Sequence, residues 1–208
     1  MITAYWDDML YFLQKAEKSE RVRARYDTFY ITALNEISQS ELKEKIPNLP
    51  PFERRGIRYA ILSSFLFLEA FINSEYYRKM NFENSRPDDL TKMQKKNLDT
   101  AVMKTPFEDK WSKWISEFVD DENLQPKNHQ EFKNLDELRK WRNELTHYKL
   151  HHLKKIHNEI ETIENARESV LIVIETINWY YRLLQEEPAD WMAKDMEYFA
   201  SLSKATKR

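Results

Sequence analysis

Within "LRKWRNELTHYKLHH", residues 138–152, a guanidinium, a carboxamide and an imidazole fall close together as Arg142, Asn143 and His147. That trio suits work on a phosphodiester. Internal attack of a ribose 2′-OH on the adjacent phosphate needs one group to take a proton, one to give a proton, and a cation to stabilise charge on the phosphorane. An imidazole, with an ordinary pKa of about 6.5, serves in either proton role near neutral pH. A guanidinium keeps its proton but clamps two phosphate oxygens. Asn143, one helical turn below His147, is placed to orient the imidazole or to hold the phosphate, and Arg139 extends that row one turn back. Arg142 lies about 140° round the helix from His147 and roughly 7.5 Å along its axis, so the two flank a common edge without touching. One chain supplies one such Arg and one such His, so a symmetric pair of chains would supply the remaining proton-transfer group. A plainer reading stands beside this one: Arg142 pairs with Glu144 or Glu69, and His147 bonds a carbonyl at the edge of the core.

The elements that must position these residues are helices. Leu135, Leu138, Trp141, Leu145 and Tyr148 step by three and four, predicting a helix from Phe132 to about His152 with a buried stripe. A long helix is expected over Phe52–Met80, entered after Pro47, Pro50 and Pro51, and its "YAILSSFLFLEAFINSEYY" is the most apolar face in the chain. Glu69 and Asn73 interrupt that face four residues apart. A carboxylate there must find a cation or donors, which a structural ion pair would supply. Further helices are expected over about Leu90–Met103, capped by Asp88 or Asp89, and from Thr105, with Thr105 as cap, Pro106 at N1 and Glu108 completing a capping box. Another follows from Ile156 to about Gln185. From Tyr5 to about Lys45 apolar residues recur at Trp6, Leu10, Leu13, Val22, Tyr26 and beyond, close to helical spacing. The organisation expected is an N-terminal helical extension (1–46), a helical bundle (47–187), and a short helix with a basic tail (188–208).

Composition agrees. Hydrophobic residues make up 41% of 208, enough for a sizeable core, and the single glycine, Gly56, argues against tight hairpins and phosphate-cradling loops. The fold class expected is all-α. Without cysteine there is no disulfide, thiol nucleophile or thiolate zinc site, and with no signal-peptide pattern the expected location is cytoplasmic. Thirty-three basic against 35 acidic side chains give a net charge of −2, so nucleic acid would have to be held by a local patch. The longest near-continuous apolar run, "VLIVIETI", falls well short of the ~20 residues that span a bilayer.

The order of these segments resembles the HEPN superfamily. "RNELTH" matches its R-x4-H signature, "FLFLEAFIN" is similar to the family's "LEAFIN" segment on the preceding long helix, and "PFEDKWSKW" with "FKNLDELRKWRNELTHYK" is similar to the approach to the motif in many bacterial members. The resemblance covers residues 57 to 184. It implies an antiparallel helical bundle, dimerised so that Arg142, Asn143 and His147 of two protomers meet in a cleft and cut RNA without metal or other cofactor, in a toxin or phage-defence setting where an antitoxin or other protein is a possible partner. It also places the "LEAFIN" helix, with Glu69 and Asn73, against the motif helix, and so implies Glu69 as a candidate for orienting Arg142 or His147, a structural salt bridge being an equal alternative. The chain departs from one feature of some HEPN toxins, a Tyr two positions after the motif His: here Tyr148 follows His147 directly and Lys149 occupies that place.

Beyond the motif, Lys149, His151, Lys154 and Lys155, with Arg139 before it, form a basic stretch suited to an RNA backbone, although ordinary solvated helix surface would read the same. His147 and His151 stand four apart, but no carboxylate lies between them as in H-E-x-x-H, so no metal is expected. Two other functions compete with an endoribonuclease: a non-catalytic HEPN module that binds RNA or nucleotide, and a helical interaction protein working through its N-terminal extension.

Overall fold

The computed structural model describes residues 2–34, 52–80, 91–119, 121, 123–147, 156–190 and 192–193, leaving aside the side chains of 19–34, 52–54 and 157–158. Among these residues every regular element is a helix, and the protein is all-α. We label them α1 (Ile2–Leu34), α2 (Phe52–Met80), α3 (Lys92–Lys104), α4 (107–119), α5 (Gln130–Thr146) and α6 (Ile163–Leu184). α4 is composite: α-helical Phe107–Asp109 and Ile115–Val119 flank a π-helical turn, Lys110–Trp114.

The limits of α2 are those its flanking prolines predict. Caps differ elsewhere. α3 is capped by Thr91, not by Asp88 or Asp89: its hydroxyl accepts the Gln94 N–H at 3.2 Å while Gln94 Oε1 accepts the Thr91 N–H at 2.9 Å. The T-x-x-Q pairing satisfies two end groups at once. Thr105 closes α3 instead of opening α4, and Pro106, with extended ψ 148°, takes the N-cap position. α5 stops at Thr146, well short of His152, because His147 leaves helical geometry at φ −99° and ψ 67° while its N–H still bonds Asn143 O at 2.9 Å. Thr162 caps α6 through Asn165 N–H, and Gln185 ends it in the left-handed region at φ 55°.

Pairings along the helices define their directions. Trp6 meets Phe67, Phe12 meets Tyr59, and Ala16 meets Gly56, so α1 and α2 are antiparallel. Arg58 pairs with Glu161, Ser64 bonds Ser169 and Glu75 bonds Tyr180, so α2 and α6 run in the same direction. α5 begins beside the end of α6, where His129 meets Trp179 and Glu131 pairs with Arg182, and therefore runs against it. The bundle is thus antiparallel across α1/α2 and α5/α6 and parallel across α2/α6.

Its core is continuous. Ile61, Phe67, Leu68 and Ile72 of α2 lie among Trp111 and Ile115 of α4, Leu135 and Leu138 of α5, and Val173, Ile177 and Tyr180 of α6. On α5 Phe132, Leu135, Leu138 and Leu145 are buried, whereas Trp141 is half-buried and its Nε1–H donates to Glu137; Tyr148 lies outside the described residues. The first half of α1 belongs to the core: Trp6, Met9, Leu13 and Ala16, spaced by three and four, are all buried. The division at residues 46 and 47 lies outside the described residues, as does most of 188–208. Within Arg55–Met80 of α2, an 18-residue window with mean hydropathy 1.2 is long and apolar enough to cross a membrane by length and composition; 61% of it is buried inside the protein. The "VLIVIETI" run therefore understates the chain's apolar reach, because α2 reaches its average while carrying polar residues.

Where α1 crosses α2 sits the chain's only glycine. A Cβ on Gly56 would stand 3.1 Å from Ala16 N and 3.2 Å from its Cα, so backbone nearly meets backbone. In Gly56→Ala a helix-propensity gain of about 1 kcal/mol opposes that crowding. Gly56→Leu has no such balance and is expected to lower unfolding stability by about 1–3 kcal/mol in urea titration. A leucine variant as stable as the parent would mean that the two helices do not need this close approach.

Candidate functional site

The side of α2 not covered by α1 or α6 carries Phe65, Glu69, Asn73 and Tyr77, successive members of one i, i+4 row about 6 Å apart. α5 lies across the start of this row. A cavity of ≈ 320 Å³ results, lined by Phe65 and Glu69 of α2, Phe107 and Glu108 of α4, and Arg139, Arg142 and Asn143 of α5. Four residues singled out by sequence are therefore brought together: Arg139, Arg142, Asn143 and Glu69.

Their states differ. The Arg142 guanidinium carbon sits 5.1 Å from the Phe65 ring centroid, and Nη1 donates to Asn143 Oδ1 at 3.0 Å. Asn143 thus holds the arginine. Among the described residues Arg142 has no carboxylate partner, so neither Glu144 nor Glu69 neutralises it. Arg139 is compensated twice, by Asp136 (2.7 Å) and by Glu108 (2.8 Å). Burial opposes the Asp136 carboxylate, but hydrogen bonds from Lys140 and Arg139 outweigh it and hold its pKa below the usual carboxylate range.

Glu69 pairs with Lys110 at 3.8 Å rather than with Arg142 or His147. Lys110 opens the π-helical turn and is buried, with Nζ 5.6 Å from the Trp114 ring centroid; burial pushes its pKa down and Glu69 only partly restores it. Asn73 lies one turn further along α2, its Oδ1 buried and without a hydrogen-bond partner among the described residues. It lines a second cavity of ≈ 450 Å³ with Tyr5, Leu66, Glu69, Tyr77 and Val102. The Tyr77 hydroxyl donates to Asp99 at 2.6 Å, and partial burial together with that carboxylate pushes the phenol up to about 12, so it stays protonated.

His147 stands apart. It is exposed at the C-terminal end of α5, its imidazole has no partner among the described residues, and it does not line the cavity that holds Arg142. Lys149, His151, Lys154 and Lys155 lie outside the described residues. Among the described residues no three His, Asp or Glu side chains converge as metal ligands would.

Sequence reasoning missed Phe65 and Lys110. Phe65 had a signal, lying four residues before Glu69 in the same row; Lys110 had none, since its burial depends on how α4 docks. Also unforeseen is the lock at the far end of α2, where buried Glu75 accepts from Tyr180 (2.7 Å) and Arg78 (2.6 Å), and Arg78 reaches Glu186 (2.8 Å). Burial, then the Glu75 carboxylate, drives the Tyr180 phenol up.

No family model, curated protein or solved structure matches the chain.

Lys110 gives the site's wall a titration. Unfolded lysine keeps its proton to about pH 10.4, whereas folded Lys110 releases it at a lower pH. Between those values the unfolded state binds more protons, so this group makes stability rise with pH. Lys110→Met removes the effect. The stability of the parent relative to Lys110→Met is expected to increase between pH 7 and pH 11 in urea titrations, and a constant difference would show that burial does not lower the Lys110 pKa.

Proposed function

We propose that this chain is a HEPN-type endoribonuclease, an all-α bundle that acts as a homodimer and cleaves RNA without a metal. The observation that carries this reading is Arg142: a guanidinium mounted on the Phe65 ring, held by Asn143, facing a cavity and lacking a carboxylate partner among the described residues. A cation kept unneutralised in a partly buried place suits an anionic ligand, because desolvation strengthens its pull on phosphate oxygens. The "LEAFIN" helix α2 lying against the motif helix α5 agrees with the arrangement that the resemblance implies.

In this reading Arg142 binds the scissile phosphate, with Asn143 fixing its fork. The ribose 2′-OH attacks phosphorus, its proton passing to one imidazole. The P–O5′ bond breaks, and the departing O5′ takes a proton from a second, leaving a 2′,3′-cyclic phosphate and a 5′-OH. His147 lies off its own cavity, which favours a shared site supplied in part by the partner subunit's His147. The same observation favours, second, a non-catalytic module that binds RNA or nucleotide through Arg142. Either would serve in a toxin or phage-defence setting, in the cytoplasm, with an antitoxin or other protein as regulator.

The test is cleavage of RNA in excess EDTA, with light scattering to establish the dimer. The expected products carry 2′,3′-cyclic phosphate ends. Arg142→Ala and His147→Ala, with unchanged helicity, should each lose at least about a hundredfold in rate. Mixing the two variants should not restore activity, since a mixed dimer carries one His147 where the reaction uses two imidazoles. Undiminished cleavage by both variants rejects the assignment, and RNA binding without cleavage by the parent selects the second reading.

A further inference from the structure

The two cavities adjoin on the uncovered side of α2, and Glu69 lines both. Their chemistry changes in order along the helix. At Phe65 stands the guanidinium of Arg142, at Glu69 a carboxylate, and at Asn73 and Tyr77 a carboxamide and an aromatic ring in a largely apolar hollow completed by Tyr5, Leu66 and Val102. We propose that together they form one nucleotide-binding site, with phosphate on Arg142, ribose hydroxyls on Glu69, and the base in the larger cavity against Tyr5 and Tyr77 beside Asn73. The inference deepens the ribonuclease reading and rests on its assignment of Arg142 to phosphate.

Five observations support it. The spatial sequence cation, carboxylate, amide and ring repeats the sequence phosphate, sugar, base, at helical steps of about 6 Å. Glu69 is a third exposed and tied to Lys110 only by a 3.8 Å pair, which leaves carboxylate capacity for hydroxyl donors. Asn73 Oδ1 is buried without a partner among the described residues, a condition that a base N–H meeting the amide would relieve. Tyr77 is fixed by its bond to Asp99 on α3, so the hollow has a braced aromatic wall before any ligand arrives. A cavity of ≈ 450 Å³ is in the range of small-molecule sites.

The experiment measures equilibrium binding of the four nucleoside 5′-monophosphates, ribose 5-phosphate and inorganic phosphate to the full chain in EDTA. Four proteins are compared: parent, Val102→Trp, Ser74→Phe and Arg142→Ala, each checked for helicity. Because the two filling variants sit on different helices, misfolding of one leaves the other to decide. At least one nucleotide is expected to bind about tenfold or more tighter than ribose 5-phosphate, as stacking a base on aromatic rings requires. Val102→Trp and Ser74→Phe should erase that difference without weakening ribose 5-phosphate, and Arg142→Ala should weaken both ligands. Nucleotides binding no tighter than ribose 5-phosphate, or keeping their advantage in the filled variants, overturn the base site. If Arg142-dependent RNA cleavage persists in that case, the ribonuclease reading survives without it. Conversely, the expected pattern in a protein that never cuts RNA upholds the nucleotide site and removes the ribonuclease. Failure of every probe to bind at millimolar concentration overturns the base site and the phosphate role of Arg142 together.

Discussion

At Gly56 the backbones of α1 and α2 come within contact distance, and the rest of the arrangement follows from that approach. With no side chain between them, α1 lies low enough for Trp6 to reach Phe67 at 5.0 Å and for Tyr5 to reach the wall of the larger cavity. α6 covers another side, where Ser64 and Ser169, both small, bond each other at 3.1 Å and again let two helices lie close. Covered on those sides, α2 has one row left over, from Phe65 to Tyr77, and the candidate site is built on that remainder. Close packing and the site are thus consequences of the same economy of side-chain volume.

Three cations meet this row and are treated in three ways. Arg139 is neutralised by carboxylates from its own helix and from α4; Lys110 is withdrawn into the core over Trp114; Arg142 rests on a ring. The aromatic face matters because it holds the guanidinium without cancelling its charge as a carboxylate would. Among the described residues the result is one positive group without a carboxylate partner in a neighbourhood otherwise balanced.

Periodicity and prolines made α2 legible as an element, because a long apolar run entered after Pro51 has few other ways to fold. The capping of α3 was less so: Asp88, Asp89 and Thr91 are all competent caps, and only the reciprocal bond with Gln94 selects Thr91. The end of α5 at Thr146 has no breaker in the sequence to announce it. At the site, residues sharing one helix face were readable as a set, hence Glu69 with Asn73, and Arg139 with Asn143. What joins faces of different helices was not. The Lys110 pair, the Phe65 platform and the Glu75 to Tyr180 bond depend on packing between segments far apart in the chain, for which a single sequence carries no local signal.

The parallel pairing of α2 with α6 also sets the order in which the molecule can be completed. Partners such as Ser64 and Ser169, or Glu75 and Tyr180, are separated by 105 residues. At translation rates of about 5–20 residues per second, one side of α2 waits roughly 5–20 s on the ribosome before its cover is made. During that interval the exposed segment, Arg55–Met80, holds the 18-residue window apolar enough to pass for a membrane span. The nascent chain therefore offers chaperones and the membrane-targeting machinery a hydrophobic helix that the finished protein hides. Glu75 and Ser64, polar groups bonded to α6 as well as within α2, mark that helix as one destined for a protein interior.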